Sequence, residues 1–135
     1  MHSKNNRRGM ATLEMLFVLP LLFLILFGII EFGIVLGRWQ AVTNAAREGA
    51  REAIVFRQDC TAAAVQTDVQ TRVDAYLAAT NVIPDSVVLT GECAGTGTDA
   101  TVTVVYTHTF QTIDNFAPSL GATLPLTGTS TMRNE

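Results

Sequence analysis

The sequence predicts an α+β protein in which a long N-terminal transmembrane helix continues into one small exported domain. Three observations predict this fold: a dense apolar block at residues 15–36, small apolar residues at helical spacing after it, and alternating threonines and apolar residues farther on. A chain of 135 residues has room for one small domain beyond such a helix, and not for two.

The apolar block is predicted to be a retained membrane helix. A removable signal sequence has an apolar region of about 7–15 residues and then a cleavage site of small residues. Here residues 15–30 carry no charge, and the apolar character resumes after Glu31. Residues 10–31 span about 30 Å as a helix, the thickness of the hydrocarbon core. Glu31 is therefore expected near the far edge of the core, with Arg38 and Trp39 among the headgroups.

Basic residues flank both ends of the block, so the positive-inside rule does not decide the orientation alone. Lys4, Arg7 and Arg8 precede it without any acidic residue, whereas the arginines after it are mixed with glutamates. The purely basic leader and the late cysteines favour a cytoplasmic N-terminus. Loss of residues 1–9 would lower the net charge from -3 to -6, and such an acidic domain argues against nucleic-acid binding.

Cys60 and Cys93 are the two cysteines, and both follow the apolar block. Because there is no CxxC pair, a redox motif or a zinc ribbon is not indicated. In an exported domain a disulfide is expected. It would close a loop of about 34 residues and contribute about 3–4 kcal/mol in the chain-entropy treatment. The alternative is two unrelated buried thiols.

Glu14 places a charge near the start of the apolar block, five residues after Gly9. Glycine at a scissile position lets an extended backbone enter a protease cleft. Cleavage after Gly9 would leave an amine on Met10, which the Glu14 carboxylate, about one helical turn away, can neutralise. The pattern resembles the type IV prepilin cleavage motif, which a membrane prepilin peptidase cuts after the glycine. The alternative is an interfacial carboxylate in an ordinary signal anchor.

Residues 13–53 are similar to the N-terminal region of the TadE/TadG-like family. The matching features are Glu14, Pro20, Gly28, the Glu31-Phe32-Gly33 segment and the run AAREGAR at 45–51. The ending LTGTSTMRNE is similar to the family's terminal strand. The short chain resembles the small TadE-type members rather than the long ones.

This resemblance implies a minor pilin or pseudopilin of a Tad-type (type IV) pilus, with adhesion or biofilm formation as the result. It implies the prepilin peptidase, other Tad pilins and an inner-membrane assembly platform as partners, besides the lipid bilayer. The expected arrangement is a leader at 1–9, a transmembrane helix at 10–38 and a periplasmic or extracellular domain at 39–135. The protein would then lie in the bacterial inner membrane as a single-pass chain and could enter a surface pilus.

Two features of the helix bear on assembly. Pro20 removes a backbone hydrogen bond and favours a kink, and the resemblance implies local unwinding there during assembly. The alternative is that the membrane helix simply tolerates this proline. Gly33 and Gly37 form a GxxxG pair that would let a second helix approach closely, although glycine is also common in membrane helices.

The exported domain is predicted to contain a second helix and about three antiparallel strands. The second helix is expected at 62–79, with a buried stripe of Val65, Val69, Val73, Tyr76 and Leu77. The strands are expected at 86–92, 100–110 and 123–133, with Pro125 marking an edge strand and a loop at 114–121. Glu48 is expected to pair with Arg51 on the helix surface.

No catalytic motif or metal-ligand pattern is found, and His108 is interpreted as a structural residue on a strand face. We therefore expect neither an enzyme nor a cofactor. Two other functions stay open: an uncleaved, signal-anchored periplasmic binding or scaffold module, and a secreted hydrolase or adhesin cut by ordinary signal peptidase near residues 44–46.

Overall fold

The computed structural model describes residues 5–55, 60–93, 95–111 and 121–134. The chain divides into two compact units, Met1–Ile34 and Val35–Glu135. The α+β fold predicted from the sequence is confirmed. Its elements in chain order are α1 (Asn5–Ala53), α2 (Ala62–Ala78), β1 (Ser86–Thr90), β2 (Asp99–Thr109) and β3 (Thr123–Arg133).

The first unit consists of the N-terminal part of α1. Its side chains from residue 10 to residue 30 are all exposed, although most of them are apolar. The helix continues through Pro20 without interruption. A helix that is apolar all round is typical of a membrane span, and this one is long and apolar enough to cross a bilayer by length and composition.

The second unit contains a three-stranded antiparallel sheet in the order β1-β2-β3. Along β2, Val102, Val104 and His108 point to the buried face, whereas threonines at alternating positions point to the other face. On that outer face Thr101 lies opposite Thr131, with 2.8 Å between their hydroxyl oxygens. The alternation predicted from the sequence is therefore confirmed.

The core lies between the sheet, α2 and the part of α1 from Val35 onward. Small residues on α1 let its backbone approach the sheet closely: a Cβ atom at Gly128 of β3 would lie 2.7 Å from the Val42 carbonyl oxygen. The fully buried side chains that complete the core are aliphatic, among them Ala45, Ala46, Ala50, Val65, Val69, Val73 and Leu77. The glycine and alanines therefore set the distance between helix and sheet.

The disulfide between Cys60 and Cys93 is present, with 5.6 Å between the two Cα atoms. It joins the chain just before α2 to the turn that follows β1. Both cysteines are exposed. The prediction of a disulfide is thus confirmed, and the alternative of two buried thiols is wrong.

Three details differ from the sequence predictions. Tyr76 is 40 % exposed, whereas Leu77, four residues after Val73, is buried and completes the predicted stripe. β1 ends at Thr90, two residues early, because Gly91 turns the chain with a φ of 83°. The third difference concerns Glu48, which contacts Arg72 of α2 rather than Arg51. Of the loop expected at 114–121, all but the last residue falls outside the described residues.

Candidate functional site

The candidate processing segment lies at the start of α1. Gly9 is already part of the helix, so a peptidase that binds an extended chain would have to unwind the first turns. Helix ends fray readily, and nothing in the described part of the chain packs on this one. Met10 is 73 % exposed and Glu14 is also exposed, so the carboxylate is available to an amine at Met10.

The apolar surface of α1 is interrupted by Glu31. It is 8 % exposed, whereas the residues on either side of it are open. A carboxylate within a membrane-spanning segment is costly unless it is turned away from lipid. The position of Glu31 near the edge of the apolar core stays a prediction.

Three glycines of α1, Gly28, Gly33 and Gly37, face open space. A Cβ atom built on any of them meets no atom within 4 Å among the described residues. They are therefore not needed for packing inside this chain. Small residues on an apolar helix permit close approach by another helix, so this surface is available for association.

Arg38 joins the helix to the sheet. Its Nη1 atom donates a hydrogen bond to the Tyr106 hydroxyl oxygen at 2.8 Å and lies 2.7 Å from Nδ1 of His108. The guanidinium group also lies over the Tyr106 ring, 5.7 Å from its centroid. Residues of β2 therefore bind the charged end of Arg38, and its expected position among lipid headgroups stays a prediction.

His108 is almost completely buried, at 1 % exposed, and its ring meets Phe110 edge to face at 5.0 Å. Arginine can only donate, so Nδ1 of His108 is the acceptor in the contact with Arg38. The ring proton is thus assigned to Nε2. Sequence reasoning placed His108 on the correct strand face but missed Arg38, since the pair is separated by 70 residues.

A second link joins α1 to α2. The Glu48 carboxylate accepts a hydrogen bond from Nε of Arg72 at 3.0 Å and also contacts its Nη2 atom. This carboxylate raises the pKa of Arg72, first through the hydrogen bond and then through its charge. The pair is exposed and is therefore expected to add little stability.

We expect Arg38→Leu to lower the free energy of unfolding by about 1–3 kcal/mol, because it leaves Nδ1 of the buried His108 without its donor. The measurement is guanidinium unfolding of the full chain in detergent micelles. In a double-mutant cycle with His108→Leu, the second substitution should cost much less once Arg38 is absent. Additive costs for the two substitutions would contradict a direct interaction.

Among the described residues there is no cluster of three or more His, Cys, Asp or Glu side chains that could hold a metal ion. Two surfaces of the described residues are candidates for function: the candidate processing segment with its apolar helix, and the outer face of the sheet. Arg38 and His108 connect the helix to the sheet.

Comparison with known proteins gives one family. The family model described as TadE-like protein matches residues 9–51. The matched segment contains Gly9, Glu14, Pro20, the open glycines and the whole AAREGAR run. The resemblance seen in the sequence is therefore confirmed over this part of the chain. No curated protein and no solved structure matches the chain.

Proposed function

Because residues 9–51 match the TadE-like family, we propose that this chain is a minor pilin or pseudopilin that takes part in assembly of a Tad-type pilus. The observation that carries the proposal is the coincidence of this match with an exposed, apolar helix ahead of a small folded domain. Such a helix needs lipid or neighbouring helices to cover it. In a membrane, lipid would cover this helix, and in a pilus the helices of neighbouring subunits would cover it.

The proposed processing step is cleavage by prepilin peptidase after Gly9. The step hydrolyses the peptide bond between Gly9 and Met10 and creates a new amine on Met10. Glu14 lies on the same side of α1 about one turn later, so its carboxylate can neutralise that amine or the amine of a neighbouring subunit. In the membrane interface this pairing removes the cost of an isolated charge.

We propose that residues 10–38 cross the inner membrane, with the N-terminus in the cytoplasm and residues 39–135 outside. The basic leader and the disulfide in the second unit support this orientation. The open glycines of α1, including Gly33 and Gly37, would then contact the helices of other pilins. Adhesion and biofilm formation would be properties of the assembled pilus.

The test is the N-terminal residue of the protein recovered from native membranes, read by mass spectrometry. We expect a mature chain that begins at Met10, and we expect Gly9→Leu to leave the leader attached. Gly28→Ala is a matched control, because it changes another glycine of α1 that has open space around it.

A chain that keeps Lys4, Arg7 and Arg8 would overturn the processing step and favour an uncleaved, anchored binding or scaffold module. A chain that begins near Ala46 would indicate ordinary signal peptidase. If Gly9→Leu blocks cleavage but cells still assemble pili and adhere normally, the proposed role in pilus assembly is wrong.

A further inference from the structure

Arg38 marks the end of the sheet at which α1 enters the second unit. Its guanidinium group binds Tyr106 and His108, so the last residues of β2 lie within one arginine side chain of α1. His108 pairs with Leu124, which places the start of β3 at the same end. The apolar part of α1 joins the second unit at this end, at Val35.

The chain ahead of β1 reaches the same end of the sheet. The Asp85 N–H donates a hydrogen bond to the Val105 carbonyl at 2.8 Å, and the Asp85 carboxylate accepts one from the Thr107 N–H. Ile83 precedes Asp85 by two residues, a distance of at most about 7 Å. This end of the second unit, hereafter the near end, consists of residues 35–39, 83–86, 106–110 and 122–125.

The near end exposes large apolar side chains. Ile83 is 81 % exposed, Trp39 is 49 % exposed and Leu124 is 39 % exposed. Together with Leu36, they are four of the seven large apolar side chains that the described part of the second unit exposes. Single apolar side chains scattered over a surface need no explanation, whereas a group of them at one end indicates a binding surface.

Charged side chains are concentrated at the opposite end of the sheet. Glu92, Asp99 and Arg133 lie there, and Nε of Arg133 is 3.9 Å from the Asp99 carboxylate. Among the described residues of the near end, Arg38 and Asp85 carry charge, and both are hydrogen-bonded to β2. The near end therefore offers no unbound described cation to an anionic partner, and its surface favours apolar contact.

We propose that the near end contacts the outer surface of the membrane and inserts Trp39, Ile83 and Leu124 into the headgroup layer of zwitterionic phospholipid. Tryptophan is enriched in this layer because its ring is apolar and its N–H is polar. The two aliphatic side chains are stabilised by leaving water. A zwitterionic surface suits an end that has an exposed carboxylate at Asp85 and no unbound described cation.

The depth of the near end follows from Arg38, in an argument that rests on the proposed span of residues 10–38. That span places Arg38 among the headgroups, and the end of β2 holds its guanidinium group. The end of the sheet then lies at the same depth to within one arginine side chain. Residues 35–39 rise about 6 Å along the helix, which is similar to the thickness of one headgroup layer, about 5–8 Å.

The test uses the full chain in vesicles of phosphatidylcholine whose acyl chains are brominated near the headgroup, with unbrominated vesicles as the reference. Bromine quenches tryptophan emission at short range. Since Trp39 is the single tryptophan, Trp39→Phe removes the background and Ile83→Trp adds one reporter. We expect brominated lipid to quench emission from position 83 by about half or more, because such surfaces enter the headgroup–acyl boundary by about 5–10 Å.

Val88→Trp in the same Trp39→Phe background is the matched control. Val88 is also aliphatic and exposed, at 51 %, but it lies on β1 three residues after Asp85, about 10 Å farther from the near end. Neither substitution removes buried packing, because both side chains are exposed. Position 88 should be quenched little. Equal quenching at positions 83 and 88, or no quenching at position 83, would overturn the proposal.

A second pair of variants tests whether the apolar side chains act as one surface. The reporter is Leu124→Trp in the Trp39→Phe background, and it is combined with Ile83→Asn or with Val88→Asn. Ile83→Asn should lower quenching at position 124 by about twofold, because it removes one apolar contact with lipid. Val88→Asn should leave it unchanged. Equal quenching in the two combinations would overturn the proposal.

A neighbouring copy of the chain is the competing cover for this surface. Support for lipid contact requires quenching at position 83 that stays constant as the protein is diluted in lipid and as salt is raised, since apolar contacts are not screened. Emission that is shielded from aqueous acrylamide but not quenched by brominated lipid would indicate a protein neighbour and overturn the proposal. Quenching that disappears in high salt would also overturn it.

The unmodified chain separates a failure of this inference from a failure of the proposed span. Quenching of Trp39 without quenching at position 83 would overturn the surface contact and leave the span in place. If neither position is quenched, the proposed placement of residues 10–38 is wrong and the inference fails with it. Cleavage after Gly9 enters neither measurement.

Discussion

Replacing Cys60 and Cys93 together with alanine is expected to lower the free energy of unfolding by about 3–4 kcal/mol. The disulfide closes a loop with a sequence separation of 33 residues, and its loss gives the unfolded chain back that conformational freedom. Both cysteines are exposed, so little packing is lost with their sulfur atoms. The change should therefore report the cross-link itself.

The measurement is guanidinium unfolding of the full chain in detergent micelles, followed by the fluorescence of Trp39, the single tryptophan. The unmodified chain treated with a reductant is the matched control, and it should unfold at the same denaturant concentration as the double variant. If the oxidised chain unfolds at that concentration as well, the disulfide contributes no stability. A cost much above this value would instead indicate that the turn at Cys93 is rearranged.

The helices and strands of this protein could be predicted from the sequence because the apolar residues of each element recur at one regular spacing. The valines of α2 recur at helical spacing, and the threonines of β2 alternate with apolar residues, so type and face were both predictable. Tyr76 was misplaced because positions 76 and 77 compete for one stripe, and spacing alone does not say which of the two turns outward. The early end of β1 depends on a glycine with positive φ, which adjoins the strand without interrupting its pattern.

The contacts of the candidate site were harder to predict from the sequence. Gly9 and Glu14 could be found because their spacing is local. The contact of Arg38 with His108 could not, since it depends on how the helix lies on the sheet. The Tyr106 hydroxyl and the buried His108 ring bind its guanidinium group, and no local pattern in the sequence indicates either contact. The position of β3 at an edge of the sheet was predicted from Pro125, and the strand order confirms it.

Gly128 lies where β3 packs against the backbone of α1. Gly128→Val is expected to lower the free energy of unfolding by about 3 kcal/mol, at the upper end of the cost of overpacking. A Cβ atom there would lie 2.7 Å from the Val42 carbonyl oxygen and 2.8 Å from the Thr43 Cα atom. Those atoms belong to the helix backbone, so no change of rotamer can relieve the clash. The higher strand propensity of valine offsets less than about 1 kcal/mol.

Thr127→Val is the matched control, because it places valine on the neighbouring residue, whose side chain lies on the exposed face of β3. It should leave guanidinium unfolding in micelles nearly unchanged. Gly128→Val should shift unfolding to lower denaturant and should also weaken the Arg38 contact with His108, since both depend on how closely α1 lies on the sheet. If Gly128→Val is as stable as the control, the helix backbone does not rest on β3, and the close packing by small residues is not what holds the helix to the domain.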